Sequence, residues 1–258
     1  MTVGDCTLGA SQNLLQTYLR LGLATPGAIW EREEGFDLCL GDLDHPICNF
    51  AAGLNLDPWS ARRLVTIAES RPSFNVYASP GDGPEYLDEL LVRAGFCHAY
   101  RLVQLVAEPP EEDSFETMDE CTVGDRDAIS RFMVDQFFSQ RPISFRTAIA
   151  EATARATGVE LYFVRDRSRI VAALMLSQAG GMLGVYNLCV APASRGRGIG
   201  SSVVRWALGE ARRRGMMATM QCEPHLETWY GSLGFQRSGW LNVYRLSKGP
   251  TSDIIDMV

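Results

Sequence analysis

Long apolar runs are missing from this 258-residue chain. No stretch approaches the ~20 consecutive apolar residues of a bilayer-spanning helix, so no membrane partner is expected. A secretory leader is not expected either. The opening residues MTVGDCTLGASQNLLQTYLRLG place Asp5 early, with no basic segment ahead of an apolar one, and this points to a cytoplasmic protein. Metal-ligand spacing is also missing. The three histidines (45, 98 and 225) are far apart, and the seven cysteines (6, 39, 48, 97, 121, 189 and 222) include no C-x-x-C pair. Neither a zinc site nor a disulfide framework follows, so no metal is expected and the cysteines read as free thiols. Positive charge is in deficit, with a net charge of −7. That balance argues against a nucleic-acid partner and, as a bulk property, suits a cationic substrate.

What is present divides the chain in two. The polar, acidic, proline-containing stretch AEPPEEDSFET (107–117) reads as an exposed connection, giving domains at 1–110 and 111–258. In the second half, apolar periodicity predicts helices over 127–138 and 145–158. Strands are expected at 159–166, 169–178 and 181–192. A glycine loop then leads into a helix with Val204, Leu208 and Ala211 on one face. A strand at 216–222, a short helix at 224–235 and a strand at 238–246 complete it. The first half shows a helix near 11–21, β-type runs near 28–33, 37–42 and 47–56, a helix near 60–70 and a strand at 73–79. Its end, EYLDELLVRAGFCHAYRLVQLV (85–106), has the layout of HLETWYGSLGFQRSGWLNVYRL (225–246): short helix, Gly-Phe, strand. The Gly-Phe pairs stand about one domain length apart, which suggests an internal repeat. Alternating strands and helices predict a mixed α/β sheet flanked by helices, in two tandem domains.

The stretch LCVAPASRGRGIGSSVV (188–204) carries the clearest chemistry. A helix N-terminus has unpaired amides and partial positive charge, which makes it an anion site. Gly196, Gly198 and Gly200 allow close approach to the backbone. Arg195 and Arg197 supply guanidiniums suited to phosphate oxygens. The pattern therefore predicts a diphosphate seat. A Rossmann dinucleotide loop would need G-x-G-x-x-G and an acidic residue after the next strand. Here the spacing is G-x-G-x-G, although Glu223 does follow the strand. A P-loop lacks its Gly-Lys-Ser/Thr.

These residues resemble the acyl-CoA signature of the GNAT superfamily of N-acetyltransferases, Arg/Gln-x-x-Gly-x-Gly/Ala, with Arg195, Gly198 and Gly200 in its defined positions. WYGSLGF resembles the superfamily's second landmark, a tyrosine four residues before Gly-Phe, filled here by Tyr230. The resemblance spans about residues 115–246, and the whole chain is similar to tandem members with a degenerate first copy. It implies acetyl-CoA as co-substrate. The pantetheine arm would lie along Leu188, Cys189 and Val190, and the pyrophosphate on Arg195, Gly196, Arg197, Gly198, Ile199, Gly200 and Ser201. Tyr230 would be the acid that protonates sulfur. The implied activity is acetyl transfer to a primary amine of a small molecule or peptide; the alternative is a catalytically silent acyl-CoA-binding module.

Several positions depart from the family pattern. GVYNLCV (184–190) lacks the carboxylate often read as the base, leaving Asn187 or Tyr186 to hold a relaying water, or Glu160 or His225 to act. Glu223 stands where an asparagine is frequent. Cys189 and Cys222 raise a covalent route, although Cys189, inside a strand, reads better as a packing residue, and Trp206 and Trp229 read as core or interface. In the first half Leu91 replaces the tyrosine, and LDPWSARRL (56–64) replaces the glycine loop. That half is expected to wall off the substrate site rather than catalyse.

Overall fold

The structure, a computed structural model, describes residues 3–109, 119–120 and 124–247. The expected connection at 107–117 falls largely outside them. The first half runs α1 (Val3–Leu23), β1 (Ile29–Glu33), β2 (Phe36–Leu40), β3 (Phe50–Ala52), α2 (Pro58–Glu69), β4 (Asn75–Ala78), α3 (Leu87–Ala94) and β5 (Phe96–Ala107). The second runs β6 (Asp119–Glu120), α4 (Arg126–Phe137), α5 (Ile143–Arg155), β7 (Val159–Asp166), β8 (Arg169–Ala179), β9 (Met182–Val190), α6 (Ile199–Arg213), β10 (Met217–Cys222), α7 (Glu227–Gly231) and β11 (Gln236–Leu246). The expected helix at 224–235 is a 3-10 turn at Pro224–Leu226 followed by the five-residue α7.

All described strands join one sheet in the order β1-β2-β3-β4-β11-β5-β10-β9-β8-β7-β6. The order is mirrored about its centre. β3 and β4 are parallel, as are β9 and β10. The last strand of each half lies against the other half: β11 pairs antiparallel with β4, and β5 antiparallel with β10. β5 and β11 then pair with each other from Gln236↔Val106 to Leu246↔Phe96.

Alternation sorts side chains to the two faces. On β7, Leu161 and Phe163 enter one core and Tyr162 the other. One face carries a core common to both halves, including Leu14 and Leu21 of α1, Phe50 and Tyr77 of the first half, and Met133, Met175 and Tyr186 of the second. The opposite face carries two cores, one under α2 and α3 and one under α6. In α6 the buried set includes Val203, Val204, Ala207, Leu208 and Ala211. Each large apolar side chain buried this way contributes about 1.5–3 kcal/mol.

α1 crosses from its own half onto the other. Ala10, Asn13, Leu14, Thr17 and Leu21 form its buried stripe, at the i, i+3, i+4, i+7 spacing of one helix face. Asn13 Nδ2 donates to the carbonyls of Ser177 (2.9 Å), Ala179 (3.0 Å) and Met182 (3.0 Å). Arg20 donates to Gly158 O, Ser177 Oγ and Gln178 O. Such an approach requires Gly184 on β9, where a Cβ would stand 2.1 Å from Asn13 Oδ1.

Candidate functional site

β9 is bulged at the point where it leaves β10. Its pairing with β8 shifts by one residue between Tyr186 and Cys189. Asn187 occupies the bulge at φ +50, a conformation asparagine tolerates better than most residues. The β9–β10 ladder ends at Thr219↔Gly184. Beyond it the strands diverge, with β9 held to β8 on one side and β10 to β5 on the other. The divergence opens a cleft of about 680 Å³, lined by β9 from Val185 to Val190, by Met220–Cys222, and by the loop into α6.

That loop ends at a bare helix N-terminus. Gly196 (φ +74) and Gly198 (φ +79) are left-handed, and a Cβ on either would meet no atom within 4 Å. Gly198 is the N-cap and no side chain caps the helix. The first helical bond runs from Ser202 N to Gly198 O, so the amides of Ile199, Gly200 and Ser201 have no carbonyl partner within the helix. Arg195 lines the cleft and donates from Nε to Val190 O at 3.1 Å. Arg197 does not line it and pairs with Asp166 at 3.5 Å. The corresponding helix start in the first half is closed: Asp57 Oδ1 accepts from Ser60 N at 2.7 Å in a reciprocal capping box. A carboxylate there occupies the amides that a phosphate would use.

Tyr186, Asn187, Leu188, Cys189, Val190, Gly196, Gly198, Ile199, Gly200, Ser201 and Tyr230 all line the one cleft. Tyr230 is 5% exposed. Burial first, then the neighbouring Cys222, holds its phenol protonated well above the usual range. The Tyr186 hydroxyl donates to Asn13 Oδ1 at 2.8 Å, and burial raises its pKa too. Cys189 and Cys222 also line the cleft. Burial pushes their thiols up to about 12 and about 11, so neither is a thiolate nucleophile at neutral pH.

Two suggested bases lie elsewhere. Glu160 takes both of its 2.7 Å bonds from Arg214 and one of 2.5 Å from Tyr162, and the Arg214 bonds hold its carboxyl below the ordinary value. His225 is exposed and faces Glu223 at 2.7 Å. Neither lines the cleft. Trp206 packs in the core against Tyr162, whereas Trp229 lies under the glycine loop, with ring atoms 3.7 Å from a Cβ built on Gly200. Tyr18, Leu21 and Leu102 of the first half also line the cleft. No motif marks them, because the sheet brings them there from far along the chain.

Residues 158–237, which hold β7 to β10, the glycine loop, α6 and Tyr230, match the family described as an acetyltransferase (GNAT) domain. No curated protein matches the sequence. Among solved structures, a GCN5-related N-acetyltransferase from Kribbella flavida is 17% identical, with 92% of this chain and 94% of that chain covered and a TM-score of 0.66. One from Sphaerobacter thermophilus is 14% identical, covering 83% and 81%, with a TM-score of 0.55. A tandem GNAT protein from the clavulanic acid biosynthesis pathway is 14% identical, covering 97% and 96%, with a TM-score of 0.58. The likeness is one of fold.

Proposed function

We propose that the protein is an acetyl-CoA-dependent N-acetyltransferase acting on a primary amine of a small molecule or peptide, with its cofactor and catalytic groups in the second half. The observation that carries this reading is the continuity of the cleft, from the Asn187 bulge to the free amides at the start of α6. The residues suit such a ligand at both ends. At one end, the open left-handed glycines leave room for a diphosphate on Ile199, Gly200 and Ser201, with Arg195 beside it. At the other, the side chain of Gln221 lines the cleft beside the Tyr186 hydroxyl. It would serve a pantetheine amide, as would the β9 edge from Leu188 to Val190.

Coenzyme A supplies an activated thioester. The chain's own contribution is position and protons. Tyr230, held protonated by burial, is the donor to sulfur. Tyr186 is fixed by Asn13 and orients the wall beside Asn187. We propose further that the first half is a degenerate copy, its anion seat closed by Asp57 and its tyrosine position filled by the fully buried Leu91. We place the protein in the cytoplasm.

Calorimetry with coenzyme A and acetyl-CoA tests the reading: saturable binding is expected, and no heat from folded protein would refute it. The second reading, a silent acyl-CoA-binding module, is favoured by one observation. Among the described residues, no Asp or Glu lines the cleft. Tight binding without thiol release across amines of every class would decide for the module.

A further inference from the structure

Beside the Asn187 bulge the cleft opens into a second cavity of about 160 Å³, and the two share Tyr18, Leu102, Phe137 and Asn187. Its volume is close to the ~150 Å³ of an engineered cavity that holds one benzene. Both halves build it. Tyr18, His45, Tyr77 and Tyr100 come from the first, and Phe137 and Phe138 from the second. Tyr18 and Tyr77 stand edge to face at 5.1 Å, and His45 and Phe138 at 5.5 Å.

The lining is aromatic and uncharged. Among the described residues no carboxylate lines either cavity. His45 offers no base. Its Nδ1 accepts from Ile47 N at 3.0 Å, which leaves Nε2 as the protonated nitrogen. Burial, with Arg141 and Arg245 nearby, lowers its pKa to about 3. Those neighbouring charges are positive and disfavour a cationic ligand, so the bulk negative charge of the chain does not carry into this pocket.

The reaction has a corresponding need. An alkylamine is protonated at neutral pH and must lose a proton before it attacks. An amine bonded directly to an aromatic ring is already neutral, because the ring delocalises its lone pair. Building on the proposed acetyltransferase reading, we infer that the acyl acceptor is an arylamine with a single six-membered ring, seated among these aromatic side chains with its nitrogen facing the cleft at Asn187. The nitrogen bonds to the thioester carbon and the carbon–sulfur bond breaks. The proton that nitrogen releases balances the one Tyr230 gives to sulfur, so the products are an N-aryl acetamide and free coenzyme A.

The test uses the full chain and separates the two levels. Acetyl-CoA binding is measured first by calorimetry; its absence overturns this inference together with the reading beneath it. With binding in hand, coenzyme A release and amide formation are followed by chromatography for 4-methylaniline, benzylamine, spermidine and an aminoquinoline. At pH 7, kcat/KM for 4-methylaniline is expected to exceed each of the others at least tenfold. Ile149→Ala, which removes bulk from the pocket wall, should raise aminoquinoline turnover several-fold, a gain that misfolding cannot produce. Val134→Ala widens the same wall and replaces it if that variant does not fold. Acetyl-CoA binding with no turnover of 4-methylaniline, or faster turnover of benzylamine or spermidine, overturns the arylamine inference and leaves the coenzyme site standing. Preferential use of benzoyl-CoA over acetyl-CoA would assign the pocket to the acyl group and also overturn it.

Discussion

Asn13→Ala is the substitution that most directly probes how the two halves depend on each other. Asn13 is fully buried. It donates to three carbonyls of the β8–β9 hairpin and accepts from the Tyr186 hydroxyl. Alanine removes the hydroxyl's bond to Asn13 together with the bonds to the carbonyls, at about 0.5–1.5 kcal/mol each. The carbonyls keep a second lone pair for ladder bonds, so the lower part of that range applies. A loss of about 3 kcal/mol is expected, above the ~1 kcal/mol of an ordinary substitution. For a chain of this size that corresponds to roughly 6–12 °C in Tm. Urea unfolding followed by tryptophan fluorescence reads it as a lower midpoint with an unchanged slope.

A second variant sharpens the argument. Asn13→Asp keeps an acceptor for Tyr186 but turns a carboxylate toward three carbonyls in a buried site. It should therefore cost more than alanine. An Asn13→Ala loss within ~0.5 kcal/mol, as is usual for surface substitutions, would show that this side chain does not specify the docking of α1. Two separate transitions, with one unmoved, would refute the claim that the halves share a core.

Three further outcomes are expected. Gly198→Ala should cost about 1–2 kcal/mol in stability, because alanine is strained at φ +79, and should weaken coenzyme A binding more than tenfold; an unchanged Kd by calorimetry rejects the anion seat. Tyr230→Phe should leave that Kd intact and slow turnover by roughly 100-fold, the low end for a general acid, and normal turnover would remove Tyr230 from the mechanism. Below neutrality, His45 should make the fold pH-sensitive. Its folded pKa of about 3 lies below the unfolded ~6.5, so the unfolded chain binds the extra proton and stability falls as pH drops from 6.5 towards 3. Between pH 7 and pH 5 this amounts to about 2 kcal/mol. Comparing wild type with His45→Gln by urea midpoints isolates it, and parallel pH profiles would show that the imidazole does not titrate this way.

Local features were legible in the sequence. Short β-type runs located β7 to its end residues and β8 to within one. The glycine loop could be read because its constraint is one of backbone geometry, written in residues 196–200 themselves. The sequence could not place Arg197, since a loop residue can face either way and this one meets Asp166. Glu160, one of several bases left open, pairs with Arg214, which is 54 positions away and carries no local signal. Nothing in the sequence marked Tyr18, His45 or Tyr100 as neighbours of the cleft. Their place depends on which strands pair, and β5 and β11 carry such similar patterns that neither declares its partner.

That exchange of last strands gives the first half a physical role even without an anion seat of its own. β10, which forms one wall of the cleft, is held on its outer edge by β5. β9, the other wall, is covered by α1 through Asn13. Removing the first half would strip the ladder from one wall and expose the packed face of the other. It would also remove seven of the side chains around the aromatic pocket. In the first half Asp57 caps α2 from within. The strand and helix that brace the cleft have no such substitute, since β5 pairs with β10 and Asn13 of α1 satisfies the carbonyls of Ser177, Ala179 and Met182.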